Sequence, residues 1–468
     1  MNSNKGFDVV VVGSGPAGVN AAYPLVKAGL RVVIIDGGLD SKKKDKQLND
    51  FSDINLSETS NAYELIRDNS YVFNKTYELL KIKSEIEVIQ SLAKGGLSEY
   101  WHGICDFFSP AELDRIGLPV KEIQKEYQEV SKQIKLKPSL PLDIHSKLIL
   151  KASESKINLQ STVYRLPSAA DYCSSSSIDS LKKFKNFTYI PNQLVYKVKD
   201  KEKFVEIYSI SISKQLELIT QTSFLILAAG SINTTRILLR SFNLFGYKTT
   251  FLTKAHYVTA CLQPRTLLKK INYKQVIIGQ LAMSSNEIDQ GLDAFFIQLF
   301  RFNPLAVTKA LKYIPLPKLI ALALLSIMAP SLVVADIRLP AFETRDKFCR
   351  LKRESNGQDT LEIVFRETGT ELENHQVKLK KIMQQLRELG LLPLKTGSDY
   401  VTAHYAGGAP FQDKAGKLSV DANSKLHQAK RIYVADSSAW RALPAKSPTL
   451  TIMAHASWVG KVVARKVN

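Results

Sequence analysis

Cysteine is scarce. The four in 468 residues (Cys105, Cys173, Cys261 and Cys349) are scattered, and none has C-x-x-C spacing. That argues against a disulfide framework or a zinc site and fits a reducing compartment. No metal site is expected. Acidic side chains are outnumbered as well: 44 Asp and Glu against 64 Lys and Arg leave a net charge of +20. The surplus, including SKKKDK at 41–46, is mostly spread along the chain. It fits either a soluble lysine-rich surface or an anionic partner, meaning a phospholipid surface, a phosphorylated substrate or nucleic acid. Zinc-finger and RNA-recognition signatures are missing, so no nucleic-acid partner is expected. The opening MNSNKGFDVVVVG lacks a basic region followed by a cleavage site, so no secretory signal is read and a cytoplasmic location is expected. Internal repeats are missing too.

No uncharged run reaches the roughly 20 residues of a spanning helix. The stretch LIALALLSIMAPSLVVA (319–335) is shorter and is broken by Pro330. Two readings stay open for it: a buried helix of a second domain, or a monotopic helix lying in a membrane surface. Lys309, Lys312 and Lys318 just ahead of it suit anionic headgroups, which would place the protein peripherally at an anionic membrane.

What is present is an ordinary globular balance, 45% hydrophobic and 23% charged. A strand at 7–12, a helix at 16–29 and a second strand, RVVIID, make a βαβ opening. Between them VVVVGSGPAG sets Gly13, Gly15 and Gly18 in G-x-G-x-x-G register. Gly13 makes the turn, Gly15 lets the backbone approach a pyrophosphate, and Gly18 allows close helix–sheet packing. The helix N-terminus offers N–H groups to the phosphates, and Asp36 is placed for the ribose hydroxyls. Dinucleotide binding follows. Further on come a polar excursion (40–60), the glycine-rich GGLSEYWHG (95–103), a helical stretch at 119–136, and a CSSSSIDS loop (173–180). The strand-like NQLVYKV and KFVEIYSISI follow, then the apolar FLILAAG (224–230) and IYVADSSAW (432–440). Near the C-terminus AKSPTLTIMAH (445–455) reads as a helix start, with Ser447 as cap and Pro448 at the first helical position.

In that order, these segments resemble the glucose–methanol–choline (GMC) oxidoreductases, FAD-dependent alcohol dehydrogenases and oxidases. The resemblance covers the N-terminal unit, the GGLS patch, the AAG strand and the stretch from Thr402; 110–186 and 251–394 match poorly. It implies an α/β fold, a Rossmann-type FAD-binding domain with an interleaved α+β substrate domain. The FAD-binding domain would be discontinuous (1–110, 187–250 and 395–468). The substrate domain would take 111–186 and 251–394, with the apolar helix at 319–335. The C-terminal PAKSPTLTIMAHA is closer to bacterial members associated with polysaccharide or glycan biosynthesis.

The resemblance further implies FAD as cofactor. Asp436, with Ser437 beside it, would run under the ribityl and pyrophosphate. Gly95, Gly96 and Ser98 would lie against the isoalloxazine, Val195 would meet the adenine, and Gly230 would open the helix after the AAG strand. His404 in VTAHYAGGAP matches the family's base, which removes the hydroxyl proton as hydride leaves the carbinol carbon for flavin N5. The position before the last helix's proline usually holds a second histidine or an asparagine; here it is Ser447. Pro448 and Thr449 would set that helix start against the flavin pyrimidine, where hydride arrival leaves negative charge. His102 and His455 are reserve candidates. The expected activity is oxidation of an alcohol or sugar hydroxyl, on a small-molecule, glycan or lipid-linked substrate, with the electron acceptor left open. The alternatives are a catalytically altered flavin-binding protein acting as an interaction partner, or an NAD-dependent dehydrogenase.

Overall fold

The computed structural model describes residues 6–39, 79–156, 159–267, 269, 279–285, 294–302, 311, 314–355, 358–398 and 403–467. The polar excursion expected at 40–60 falls wholly outside these, as do Lys309 and Lys312.

The chain opens with β1 (Phe7–Val12), α1 (Pro16–Lys27) and β2 (Val32–Ile35). Helices α2 (Pro110–Ile116), α3 (Val120–Gln133) and α4 (Ile144–Glu154) follow, then β3 (Ser161–Arg165) and α5 (Ser174–Leu181). Next come β4 (Phe187–Ile190), β5 (Gln193–Asp200), β6 (Val205–Ser211), β7 (Glu217–Leu227) and α6 (Ser231–Ser241). The middle of the chain supplies β8 (Ala255–Leu262), β9 (Leu281–Ser285), β10 (Phe296–Arg301), α7 (Lys318–Met328) and β11 (Leu332–Leu339). The last part holds α8 (Gly369–Glu388), β12 (Leu392–Ser398), β13 (Ile432–Val434) and α9 (Thr449–Val467).

Two sheets organise these elements. In the first, β4, β2, β1 and β7 run parallel, and β7 pairs with β13 along its C-terminal part and with antiparallel β6 earlier. The central strands β1 and β2 are buried on both faces, which is why they read as unbroken β-branched runs rather than alternating ones. Helix α1 packs on α9 so closely that a Cβ on Gly460 would lie 2.3 Å from the Ala21 carbonyl oxygen. The second sheet is antiparallel, in the order β12-β8-β11-β10-β9-β3. On one face Ile149 of α4 and Leu379, Ile382 and Leu386 of α8 pack against Tyr257, Cys261, Ile297 and Ile337. Its other face is divided: apolar residues under α7 at one end, polar ones at the other. Helices α2 and α3, which the sequence boundaries group with the substrate half, bury Leu113, Ile116, Ile123 and Tyr127 in the same core as the parallel sheet.

Two local expectations are overturned. The serine run predicted as a loop is helix α5. Its first N–H groups are capped from far along the chain, with Ser174 N donating to Ser98 Oγ (2.9 Å) and Ser175 N to Glu99 Oε1 (3.1 Å). Ile178 and Leu181 then bury one turn apart. The 319–335 stretch is not one helix: α7 stops at Met328, a 3-10 turn spans Ala329–Ser331 around Pro330, and the β-branched remainder enters the sheet as β11. Nor is α7 buried all round, since Leu319 is 77% and Ile327 71% exposed. Among the described residues no helix is long and apolar enough to cross a membrane.

Candidate active site

A long cavity runs between the two sheets, and three helix N-termini open onto it: those of α1, α6 and α9. The caps of α1 and α6 are Gly15 and Gly230, and neither helix has a side-chain cap. Their uncapped N–H groups and positive dipole ends suit a diphosphate.

The three glycines of the first turn play different parts. Gly13 has φ +103°, and a Cβ there would lie 2.4 Å from the Ala228 carbonyl oxygen; one on Gly18 would lie 1.8 Å from the Gly13 carbonyl oxygen. Gly15 is different. Its φ is −67°, open to any residue, and a Cβ there would meet nothing nearer than 3.9 Å. The protein's own packing does not require glycine at 15, yet 15 lines the cavity, as a close approach to a ligand demands. Gly18 sits behind the wall as a packing residue.

Asp36 lies at the cavity edge beyond β2. Ser14 Oγ, Gly38 N and Tyr189 OH all donate to its Oδ2, and the backbone N–H of Ser14 also bonds the carboxylate. Burial lifts its carboxyl to about 6 against those hydrogen bonds. These bonds anchor the carboxylate at the cavity edge. Further along, Val195 lines the end expected for adenine.

In the GGLS turn, Gly96 and Ser98 line the cavity while Gly95 stands just behind, its N–H donating to Ser14 Oγ (2.9 Å). Ser98 is a clamp: its hydroxyl donates to the Gly95 carbonyl (2.7 Å) and accepts from Ser174 N. Asp436 is likewise internally committed. Its Oδ2 accepts from Gly230 N (3.0 Å) and Thr234 Oγ1 (2.6 Å), its Oδ1 from Ser438 N (3.0 Å) and Ser438 Oγ (2.6 Å). Buried at the end of β13, it ties that strand to the start of α6, and burial raises its carboxyl above the usual value. Ser437 lines the cavity beside it and donates to the Tyr405 carbonyl (2.6 Å), placing the segment that carries His404.

At the far end His404, Ser447, Pro448 and Thr449 come together. Helix α9 begins at Thr449, one residue later than the Ser447–Pro448 signal predicts. The Ser447 hydroxyl instead lies 3.4 Å from both Gln298 Nε2 and Arg338 Nη1. His102 is in the cavity wall. His455 is in the core, between Ser424 Oγ (2.8 Å) and Trp440 Nε1 (3.2 Å), away from the lining.

Several residues that sequence reasoning missed complete this end. Lys254 is only 1% exposed and lies behind His404, its Nζ 3.5 Å from Nδ1. It donates to the carbonyls of Ala445 (3.1 Å) and Lys446 (2.5 Å). His256 Nε2 meets Asp336 Oδ1 at 2.6 Å, and Arg338 Nη2 meets Asp336 Oδ2 at 2.9 Å. Burial first, then Lys254 and Arg338, hold the His404 imidazole well below its usual 6.5. Burial and the neighbouring Arg338 depress Lys254 in the same way. A guanidinium keeps its proton, so the fixed Arg338 charge adds to burial in favouring the neutral forms of both neighbours. Elsewhere Glu367, Glu371 and His375 cluster, but Glu371 is paired with Lys347 and His375 with Tyr257 and Glu367.

Residues 8–41 match an FAD-binding domain, and residues 366–456, which span His404, Asp436 and Ser447, match the family model for GMC oxidoreductase. The chain is an FAD-dependent oxidoreductase. FAD rather than NAD is therefore the cofactor, and this oxidoreductase carries a C-terminal segment of GMC type. No curated protein sequence matches the chain. Among solved structures it is similar to pyridoxine 4-oxidase from Mesorbium loti, with a TM-score of 0.68 at 14% identity, over 97% of this chain and 99% of that one. That likeness concerns the fold, and the two-part architecture agrees with it. The cavity fits FAD: its glycine-lined turn, the Asp36 carboxylate at its edge and converging helix starts suit the dinucleotide, and the His404 end suits the reacting ring.

Proposed function

We propose that the chain oxidises an alcohol or sugar-ring hydroxyl, with His404 as the base that takes the hydroxyl proton. The observation that carries this is the imidazole in the cavity wall with a buried amine at its back. When bound, FAD supplies the two-electron acceptor such an oxidation needs. The chain must receive the proton, and the surroundings of Lys254 set which nitrogen does so. Burial favours the neutral form of the Lys254 amine, and a neutral amine has two hydrogens, which the Ala445 and Lys446 carbonyls would take. Its lone pair then faces Nδ1, so we assign Nδ1 as protonated and Nε2 as the proton acceptor. Lys254 is a positioning residue; His404 is the catalytic one.

Ser447 stands where the family usually has histidine or asparagine. Its hydroxyl, with Gln298 and Arg338, gives a polar corner that can hold the substrate oxygen as the proton leaves. The net charge of +20 suits an alcohol on a lipid-linked or phosphorylated carrier, such as a lipid-linked glycan. The pyridoxine oxidase of similar fold also acts on an alcohol group. Anaerobic mixing of the FAD-loaded protein with primary alcohols, secondary alcohols, sugars and lipid-linked glycans tests the reading. Bleaching of the flavin by one class supports it. A flavin left oxidised by all of them would favour a catalytically altered flavin-binding protein, for which the short Ser447 side chain is the motive.

A further inference from the structure

Helix α7 presents an apolar stripe to solvent. Leu319 (77%), Ile320 (56%), Leu324 (41%) and Ile327 (71%) are exposed on one side, while Ala321 and Leu325 face the core. Leu316 (44%), just ahead of the helix, extends the stripe. Leu267 (54%) follows the 3-10 turn Pro264–Thr266, which packs against the turn that ends α7. The charge around this face has one sign. The exposed cations Lys318, Arg265 and Lys269 flank it, and the sequence has no acidic residue from 294 to 335 or from 251 to 286. A helix of 11 residues is too short to span a bilayer, but an apolar stripe ringed by basic groups suits the headgroup boundary of an anionic one.

We infer that α7 docks the protein on an anionic lipid surface. The sheet beneath it shows what docking would do. On β11, Leu332 and Val334 pack under α7, and Asp336 and Arg338 on the same face reach the active site. On β8 the same face runs from Leu262 and Val258 under the helix to His256, and on β10 from Phe300 to Gln298. With a rise of about 3.3 Å per residue, Val334 and Arg338 are about 13 Å apart. The docking helix and the catalytic corner therefore sit side by side on one sheet face, and a docked protein would present its cavity close to lipid-borne alcohols. The docking itself does not depend on the alcohol-oxidase reading.

The test is co-sedimentation of the FAD-loaded chain with vesicles of phosphatidylcholine alone or mixed with phosphatidylglycerol. Wild type is expected to bind the mixed vesicles at least about tenfold better, since each basic group near an anionic surface contributes about fivefold. The double variant L319E/I327E, altered only at exposed positions, should lose binding by about tenfold or more while keeping its flavin spectrum and thermal midpoint. Arg265→Ala with Lys318→Ala should weaken binding to the mixed vesicles alone. Equal sedimentation with and without vesicles would overturn the inference, as would unchanged binding by L319E/I327E. A wild-type dimer that this variant dissociates, without vesicle binding, would assign the face to a second copy and overturn it too.

Discussion

Lys254→Met removes the amine behind His404 and leaves a side chain of similar length in its place. Two consequences can be sized. The carbonyls of Ala445 and Lys446 lose their donor, and a buried polar group left without a partner costs about 1–3 kcal/mol. The end of the amine's own burial offsets part of that, so a net loss of about 2 kcal/mol in folding stability is expected. The chemical effect is separate. Without an acceptor at Nδ1 the imidazole populates both neutral tautomers and turns more freely. Losing one neutral hydrogen bond of about 1 kcal/mol slows proton removal roughly fivefold to tenfold. Stopped-flow anaerobic flavin reduction reads the rate, and thermal unfolding of the FAD-loaded protein reads the stability. Nitrogen NMR of histidine-labelled protein reads the tautomer, expected to be Nδ1–H in wild type and mixed in the variant. A wild-type reduction rate in a destabilised variant would make Lys254 purely structural. A wild-type protein found to carry Nε2–H would refute the tautomer assignment outright.

Other substitutions separate folding from cofactor binding and chemistry. Gly15→Ala should leave apoprotein stability within about 0.5 kcal/mol of wild type, because its Cβ would meet only ordinary contacts; FAD affinity, followed by fluorescence titration, should fall about tenfold or more. Gly18→Ala should instead destabilise the apoprotein by more than about 2 kcal/mol in urea unfolding, since its Cβ would strike the Gly13 carbonyl. Ser447→Ala should slow flavin reduction by only about tenfold or less, as both of its contacts are long at 3.4 Å. Burial lowers His455 from 6.5 to about 3, so the unfolded state binds the proton between those values and stability falls as pH drops through that window. Against His455→Gln, wild type should lose about 2 kcal/mol more between about pH 6.5 and pH 5 in urea titrations. The comparison cancels Asp36 and Asp106, whose raised carboxyls act in the opposite sense.

What could be read from the chain is what is local in it. The G-x-G-x-x-G turn, β1 and β2 announce themselves because turn, helix start and buried strand are encoded within thirty residues. Asp436 and His404 were legible through the motifs around them. Lys254, His256, Asp336 and Arg338 were not, since they lie on antiparallel strands with distant partners or, for Lys254, just before one: His256 pairs across from Arg338, some eighty residues away. No short pattern carries that register. Helix α5 was hidden for the same reason, its caps coming from Ser98 and Glu99. The 319–335 run shows the opposite limit: composition marks it as apolar but does not tell which side faces solvent, and only the sheet beneath α7 settles that.

The central claim is that His404 removes the proton during oxidation of an alcohol. The most direct measurement is the rate of anaerobic flavin reduction, across pH, in FAD-loaded wild type and His404→Asn, with whichever alcohol bleaches the wild type. Wild type should hold its rate from neutral pH to below about 6.5, because the depressed imidazole stays unprotonated there. His404→Asn should bind FAD normally yet reduce it about 100- to 10,000-fold more slowly, with a rate that rises toward alkaline pH. Full-rate bleaching by His404→Asn would contradict the account.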